Sequence, residues 1–251
     1  MPRRASLLLL VLWAVVALPA AAASLESWTT NYPLPAGGRI SLANVQGSIW
    51  IEAWDRAEVE LSVRKATAGT NERLAEVEVA VERGRDWLRI QTVYQGNAEP
   101  VRVEYRLRVP RQVRLEELRT VNGDVVVRDV EGVVEARTLN GHIEETGVVG
   151  SVAAHSVNGN ITVALRRLPE PTGRLVMETI NGDLRLLLPA SSQADLEMST
   201  VAGQIESDLA LSARAVPGET TLRARLGRGG VPARLRTIRG NIYVGENQDQ
   251  L

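Results

Sequence analysis

The sequence predicts an all-β protein: a β-solenoid, or single-stranded β-helix, of about seven coils closed by an antiparallel β-meander cap. Three observations predict it. A six-residue motif centred on glycine occurs seven times. Short alternating strands lie between glycines spaced nine residues apart, at 123, 132, 141, 150 and 159. Phe is absent and aromatic residues make up only 4% of the chain, so its core must be aliphatic.

The first element is a leader. Arg3 and Arg4 form a basic start, residues 7–18 an uncharged apolar core, and Pro19 with the alanines at 20–23 a small-residue cleavage site before Ser24. This is the three-part pattern of a secretory signal peptide; the apolar core is short for a membrane span. The expected mature chain is a single domain, 24–251, in the periplasm, secreted, or at the cell surface of a bacterium. The basic residues are 28 Arg and the single Lys65, a bias that suggests a GC-rich genome. Removing the leader leaves 27 basic residues against 30 acidic ones. That balance argues against nucleic acid as a partner.

The sharp motif copies are Thr120-Val-Asn-Gly-Asp-Val125, Thr138-Leu-Asn-Gly-His-Ile143, Ser156-Val-Asn-Gly-Asn-Ile161 and Thr179-Ile-Asn-Gly-Asp-Leu184. Thr200-Val-Ala-Gly-Gln-Ile205, Thr237-Ile-Arg-Gly-Asn-Ile242 and the weaker Asn44-Val-Gln-Gly-Ser-Ile49 complete the set. Asn-Gly by itself signals a hairpin. The period instead gives two strands and two corners per 18 residues, which describes one solenoid coil. Coils stacked at ~4.8 Å would make a rod roughly 30 Å long. At the 18-residue offset Val121 lies over Leu139 and Val157, Val125 over Ile143 and Ile161, Val134 over Val152, and Ala136 over Ala154. All are aliphatic and are expected to face inward. Structural turn positions are Gly47, Asn122, Gly123, Asn140, Gly141, Asn158, Gly159, Asn181, Gly182, Gly203 and Gly240.

The tandem coils are expected over about 118–245, with loops or extra strands at 169–173, 191–194 and 217–230. Between the first two motifs, segments 75–83, 86–94 and 101–109 alternate in polarity and read as the meander, an insertion or cap over about 72–110. Such a cap would cover an exposed strand edge. The polar tail 246–251 is expected to fray.

Two segments carry a resemblance. Residues 40–65, ISLANVQGSIWIEAWDRAEVELSVRK, and 105–127, YRLRVPRQVRLEELRTVNGDVVV, resemble a bacterial family of unknown function described as adhesin-like, of the auto-transporter adhesin head domain type. The closing LGRGGVPARLRTIRGNIYV is similar to its last glycine-containing coil. The resemblance spans nearly all of 36–245. It implies a β-solenoid and an envelope location, and supplies no catalytic residue.

Candidate chemistry is sparse. With no Cys and two His, thiolate chemistry, disulfides and multi-His metal centres are excluded. Neither a Gly-x-Ser-x-Gly elbow nor a calcium nonapeptide repeat occurs. The Asn ladder could meet sugar hydroxyls, or could serve αL turns and bond from coil to coil. After the glycines runs a polar column that includes Asp124, His142 and Asn160. An Asp124–His142 pair could act as a base or metal site, or be a solvated outer face. Glu145 interrupts the aliphatic column Ile51, Val127, Val163, Leu186 and Val244. The expectation is a bulge at Glu144-Glu145-Thr146-Gly147 that frees its side chain to water. Arg223, Arg225, Arg228, Arg234, Arg236 and Arg239 could dock acidic glycans or lipid head groups, or be a solvated basic face.

The expected function is structural or adhesive binding in the cell envelope, without catalysis, metal or cofactor. The partner would be an envelope protein, glycan or lipid head group, and peripheral membrane contact is compatible with it. The alternatives are an envelope-stress sensing accessory and a carbohydrate-active β-helix enzyme. The latter needs clustered carboxylates in a groove.

Overall fold

A computed structural model describes residues 24–68, 71–95, 101–170, 172–215 and 221–248. The leader, parts of the expected loops (96–100, 171 and 216–220) and the last three residues of the tail lie outside the described residues. In chain order the elements are β1 Ser24–Pro33, β2 Gly38–Ala43, β3 Ile49–Trp54, β4 Glu58–Thr67, α1 Asn71–Ala75, β5 Val77–Arg83, β6 Trp87–Tyr94, β7 Arg102–Pro110, β8 Val113–Asn122, β9 Val125–Arg128 and β10 Val134–Asn140. They continue with β11 Ile143–Val149, β12 Val152–His155, β13 Ile161–Arg167, β14 Leu175–Glu178, β15 Leu184–Leu188, β16 Ala194–Ala202, β17 Ile205–Ser207, β18 Leu211–Ala215, β19 Thr221–Leu226, β20 Val231–Arg239 and β21 Ile242–Glu246.

The chain is all-β and builds two large, mixed, open sheets. One has ten strands in the order β1-β4-β7-β3-β9-β11-β13-β15-β21-β17, the other eleven in the order β18-β19-β16-β20-β14-β12-β10-β8-β2-β6-β5. Each motif glycine sits where a strand of the eleven-stranded sheet hands over to one of the ten-stranded sheet. Parallel pairing joins equivalent residues at the offset the repeat predicts, as in Ile143↔Val125 and Ile143↔Ile161. Farther on the offset widens to 23 residues, as in Ile161↔Leu184, and the pairing persists. Aliphatic side chains such as Val125, Ile143, Ile161, Leu184 and Ile242 form the buried core between the sheets.

Several expectations change. The meander is half present: β5 and β6 form an antiparallel hairpin, but β7 crosses to the other sheet. There it pairs antiparallel with β4 and parallel with β3. The last motif copy does not stack last. β20 and β21 enter between β14/β15 and β16/β17, while β18 and β19 extend the sheet beyond β16 in antiparallel fashion. The tail does not fray at its start, because Asn247 is buried and its Nδ2 donates to Leu165 O at 3.0 Å.

The column Val121, Leu139, Val157 does not face inward. Thr120, Thr138 and Ser156, one residue earlier, are buried, and Leu139 is 44% exposed. Strand alternation holds only within a strand. The two-residue corner between Asn122 and Val125 resets it, so inward positions lie five residues apart across the turn, at 120 and 125.

Candidate functional site

The Asn-Gly corner is the most repeated feature of the molecule, and its residue types follow from how closely the chains pass. A Cβ placed on Gly141 would stand 2.0 Å from Gly123 O, and one on Gly159 would stand 1.9 Å from Gly141 O. Gly47, Gly123, Gly182, Gly203 and Gly240 are equally tight against a carbonyl of their neighbour. Gly141 lies outside the left-handed region. Its glycine is required by backbone approach, not by φ. Nor do the motif asparagines adopt the expected αL conformation: among the described residues the non-glycine residues with positive φ are Glu117 and Asp129.

Three ladders of side-chain bonds run along this corner. In the first, buried hydroxyls reach the glycine carbonyls: Thr120 Oγ1 donates to Gly47 O at 2.9 Å, Thr138 to Gly123 O at 2.9 Å, Ser156 to Gly141 O at 3.1 Å and Thr179 to Gly159 O at 3.1 Å. In the second, Asn140 Nδ2 donates to Asn122 Oδ1, Asn158 to Asn140 and Asn181 to Asn158, each at 2.8 Å. Arg239 continues it by donating to Asn181 Oδ1 at 3.2 Å. In the third, the polar column after the glycines accepts backbone N–H groups. His142 N donates to Asp124 Oδ1 at 2.8 Å, Asn160 N to His142 Nδ1 at 2.9 Å and Asp183 N to Asn160 Oδ1 at 2.9 Å.

The third ladder gives Asp124 and His142 a part in the stacking. They are vertical neighbours, but the Asp124 carboxylate holds the backbone of His142. His142 Nδ1 serves as an acceptor, which requires that nitrogen to carry no proton. Asp124 Oδ1 and His142 Nδ1 are therefore engaged in stacking. Among the described residues no cluster of three or more His, Asp or Glu is arranged to hold a metal ion.

Glu145 contradicts the expected escape to water. It is fully buried between Val127 and Val163 in the ladder. Neither carboxylate oxygen has a hydrogen-bond partner. A register shift does occur, between Thr146 and Val148, but it comes after Glu145 and leaves the side chain inside. Burial pushes its pKa up to about 8, because an ionised carboxylate without partners is strongly disfavoured in an aliphatic core.

The Arg cluster divides. β16 lies between β19 and β20, and its acids pair with three of the arginines: Arg225–Asp195 at 3.0 Å, Arg234–Glu197 at 3.6 Å and Arg223–Glu197 at 3.8 Å. The Arg225 hydrogen bond, followed by that of the Gly230 N–H, holds the Asp195 carboxyl below the usual range. These side chains border an open groove of about 820 Å³ that also reaches Arg174 and Ser212. Arg236 is exposed on β20, with no carboxylate partner among the described residues.

Two features were missed by the sequence reading. On the outer face of the ten-stranded sheet, Trp50 lies under Arg106 at 5.4 Å beside a groove of about 460 Å³ that includes Glu60 and Arg128. Trp50 and Trp54 at alternate positions of β3 were the available signal. The second feature is an apolar row along the Asn-Gly corner, made by the residue before each Asn or its equivalent. Val45, Leu139, Ile180, Ile238 and Val201 are 37%, 44%, 41%, 41% and 67% exposed, and Val121 and Val157 are half-buried members of the same row.

No helix among the described residues is long and apolar enough to cross a membrane. No protein-family model and no curated protein matches the chain. Among solved structures, it is similar to a candidate cell adhesion protein from Clostridium sporogenes, at 11% identity and a TM-score of 0.45, over 88% of this chain and 100% of that one. It is also similar to a candidate adhesin from Bacteroides fragilis, at 14% identity and a TM-score of 0.42, over 88% and 97%. A candidate lipid-binding protein from Parabacteroides distasonis follows at 12% identity and a TM-score of 0.31, over 89% and 97%.

Proposed function

We propose that this chain is an exported β-solenoid that acts in the bacterial cell envelope by structural or adhesive binding and not by catalysis. The solenoid reading is supported by the regular passage of the chain between two sheets and by parallel pairing of successive motif copies. The leader pattern before Ser24 supports export. One observation carries the non-catalytic reading: the polar groups that looked most like catalysts are the rungs of the third ladder. Asp124, His142 and Asn160 each accept a backbone N–H from the next layer. Glu145, the one carboxyl among the described residues with a strongly raised pKa, is sealed among aliphatic side chains and fully buried. Binding then falls to the outer faces and edges of the sheets, where exposed Arg and aliphatic side chains and half-buried Trp side chains stand.

The test joins location and activity. Mass spectrometry of cell fractions should find a chain beginning near Ser24 outside the cytoplasm. A hydrolysis screen against envelope polysaccharides should show no turnover. A full-length cytoplasmic chain would overturn the export reading. Turnover abolished by Asp124→Ala or Glu145→Gln would replace the binding reading with an enzymatic one.

A further inference from the structure

The apolar row along the Asn-Gly corner is the largest feature that the fold does not use. Its members come from seven motif copies scattered over residues 45–238, and the stacking sets them in one line. Backbone bonds hold four steps of the line, Val121 N to Val45 O at 3.2 Å, Asn158 N to Leu139 O at 2.8 Å, Asn181 N to Val157 O at 2.9 Å and Arg239 N to Ile180 O at 2.9 Å, and strand pairing of β8 with β10 and of β16 with β20 holds the other two. Seven rungs at ~4.8 Å make an aliphatic ridge about 29 Å long. An exposed apolar strip of that continuity marks a contact surface.

Its shape and rim narrow the choice of partner. The ridge stands on a corner where the chain leaves one sheet for the other, so it projects. It holds no aromatic ring on which a sugar could stack. It is one side chain wide and seven residues long, whereas a stable protein–protein contact takes about 20–30 residues a side. Two residues before the ridge, on the same outward face, stand Arg119, Arg137 and Arg236, in register through Arg137↔Arg119 and Glu178↔Arg236. All three are exposed and lack ion pairs among the described residues. Between them the only acid of the row, Glu178, is held by His155 at 3.3 Å. On the other flank is the neutral Asn ladder, ending in Arg239. The acids beyond it, Asp124 and Asp183, each accept a backbone N–H.

We propose that this ridge is a membrane-docking edge: the aliphatic side chains enter the interfacial region of a bilayer, and Arg119, Arg137 and Arg236 meet the phosphates of anionic phospholipids. Aliphatic insertion beside basic residues is the pattern by which peripheral proteins bind anionic bilayers. Arginine is suited to the rim because its stem lies along apolar surface while the guanidinium stays at the phosphate level. The proposal deepens the binding role above by naming its partner, and it rests on export only for its cellular setting.

The experiment is co-sedimentation with vesicles of phosphatidylcholine alone or of phosphatidylcholine and phosphatidylglycerol in equal parts. The protein used is the one the cell processes from the full gene. Wild type should sediment with the mixed vesicles. The triple variant Leu139→Ser, Ile180→Ser, Ile238→Ser should lose about tenfold or more in binding, and Leu187→Ser on the opposite sheet should not. All carry the same N-terminus, so the difference reads the ridge alone. The triple variant Arg119→Gln, Arg137→Gln, Arg236→Gln keeps the test open if the ridge variant fails to fold. It should weaken binding to the mixed vesicles and flatten the salt dependence. Failure of wild type to bind either vesicle, or binding by the ridge variant or the Arg variant as strong as that of wild type, would overturn the proposal. So would a wild-type dimer that only the ridge variant dissociates, which would make the ridge a contact between copies. In each case location and absence of turnover, measured separately, would leave the broader reading of export and binding untouched.

Discussion

The two corners of each layer are built on different terms. At the Asn-Gly corner six residues of nearly fixed type recur in seven copies, joined by three ladders and by glycines that meet their neighbours' carbonyls at less than van der Waals distance from a virtual Cβ. At the opposite corner the connections differ in length, from residues 150–151 between β11 and β12 to residues 168–174 between β13 and β14. Backbone bonds still join neighbours there, as Gly132 N to Val149 O at 2.9 Å, and a Cβ on Gly150 would meet Gly132 O at 1.9 Å, but no ladder of side-chain bonds like the Asn ladder runs along it among the described residues. The first corner holds the layers in register, and the second absorbs insertions. Inserted residues are tolerated where a connection can loop out to solvent without breaking the strand pairing on either side.

The sharpest way to break this comparison is to insert bulk at one corner and length at the other. Gly141→Val must displace the Gly123 carbonyl, and the expected cost is at least ~3 kcal/mol. Two glycines added after Glu170, in the 168–174 connection, should cost less than ~0.6 kcal/mol. Urea unfolding of both variants measures the contrast; equal effects would mean that the corners are not different in kind.

Glu145 gives the next largest effect. Its carboxyl is protonated in both states below about pH 4.5. As pH rises the unfolded chain ionises first, while the folded chain keeps its proton up to about 8. Folded stability therefore falls across that window, by an amount on the order of 3 kcal/mol by pH 7. Glu145→Val, similar in volume and flanked by Val127 and Val163, should remove that slope and raise stability at neutral pH. Thermal melts from pH 4 to 8 check it. A slope unchanged in the variant would locate the titration elsewhere.

Two substitutions compare rungs within the first corner. Thr138→Val leaves the Gly123 carbonyl without its hydroxyl donor in a buried setting, for a cost of ~1–3 kcal/mol. His142→Ala removes an acceptor from an exposed N–H that water can satisfy, so its cost should stay within ~0.5 kcal/mol. If His142→Ala cost as much as Thr138→Val, the third ladder would bear as much of the stacking as the first.

What the sequence by itself determined was the strand content, the aliphatic core and the position of every Asn-Gly corner, because the repeat writes the same local constraint seven times. It also placed Val125, Ile143 and Ile161 in the core, since alternation within one strand follows from the pleat. It could not carry that alternation through the turn, and so it placed Leu139 inside and left Thr138 unremarked. The tertiary structure alone decided which copies are neighbours. β20 lies beside β14 although 52 residues separate Glu178 from Val231, because a strand pairs with any partner that offers a free edge and a matching face. It alone decided that Glu145 stays buried, since Glu145 and Thr146 are both still paired with β13 and the register shift comes only after them. And it alone gathered Val45, Leu139, Ile180, Ile238 and Val201 into a ridge: each is an unremarkable exposed aliphatic beside its own motif glycine, and only the parallel stacking of the motif copies makes them continuous.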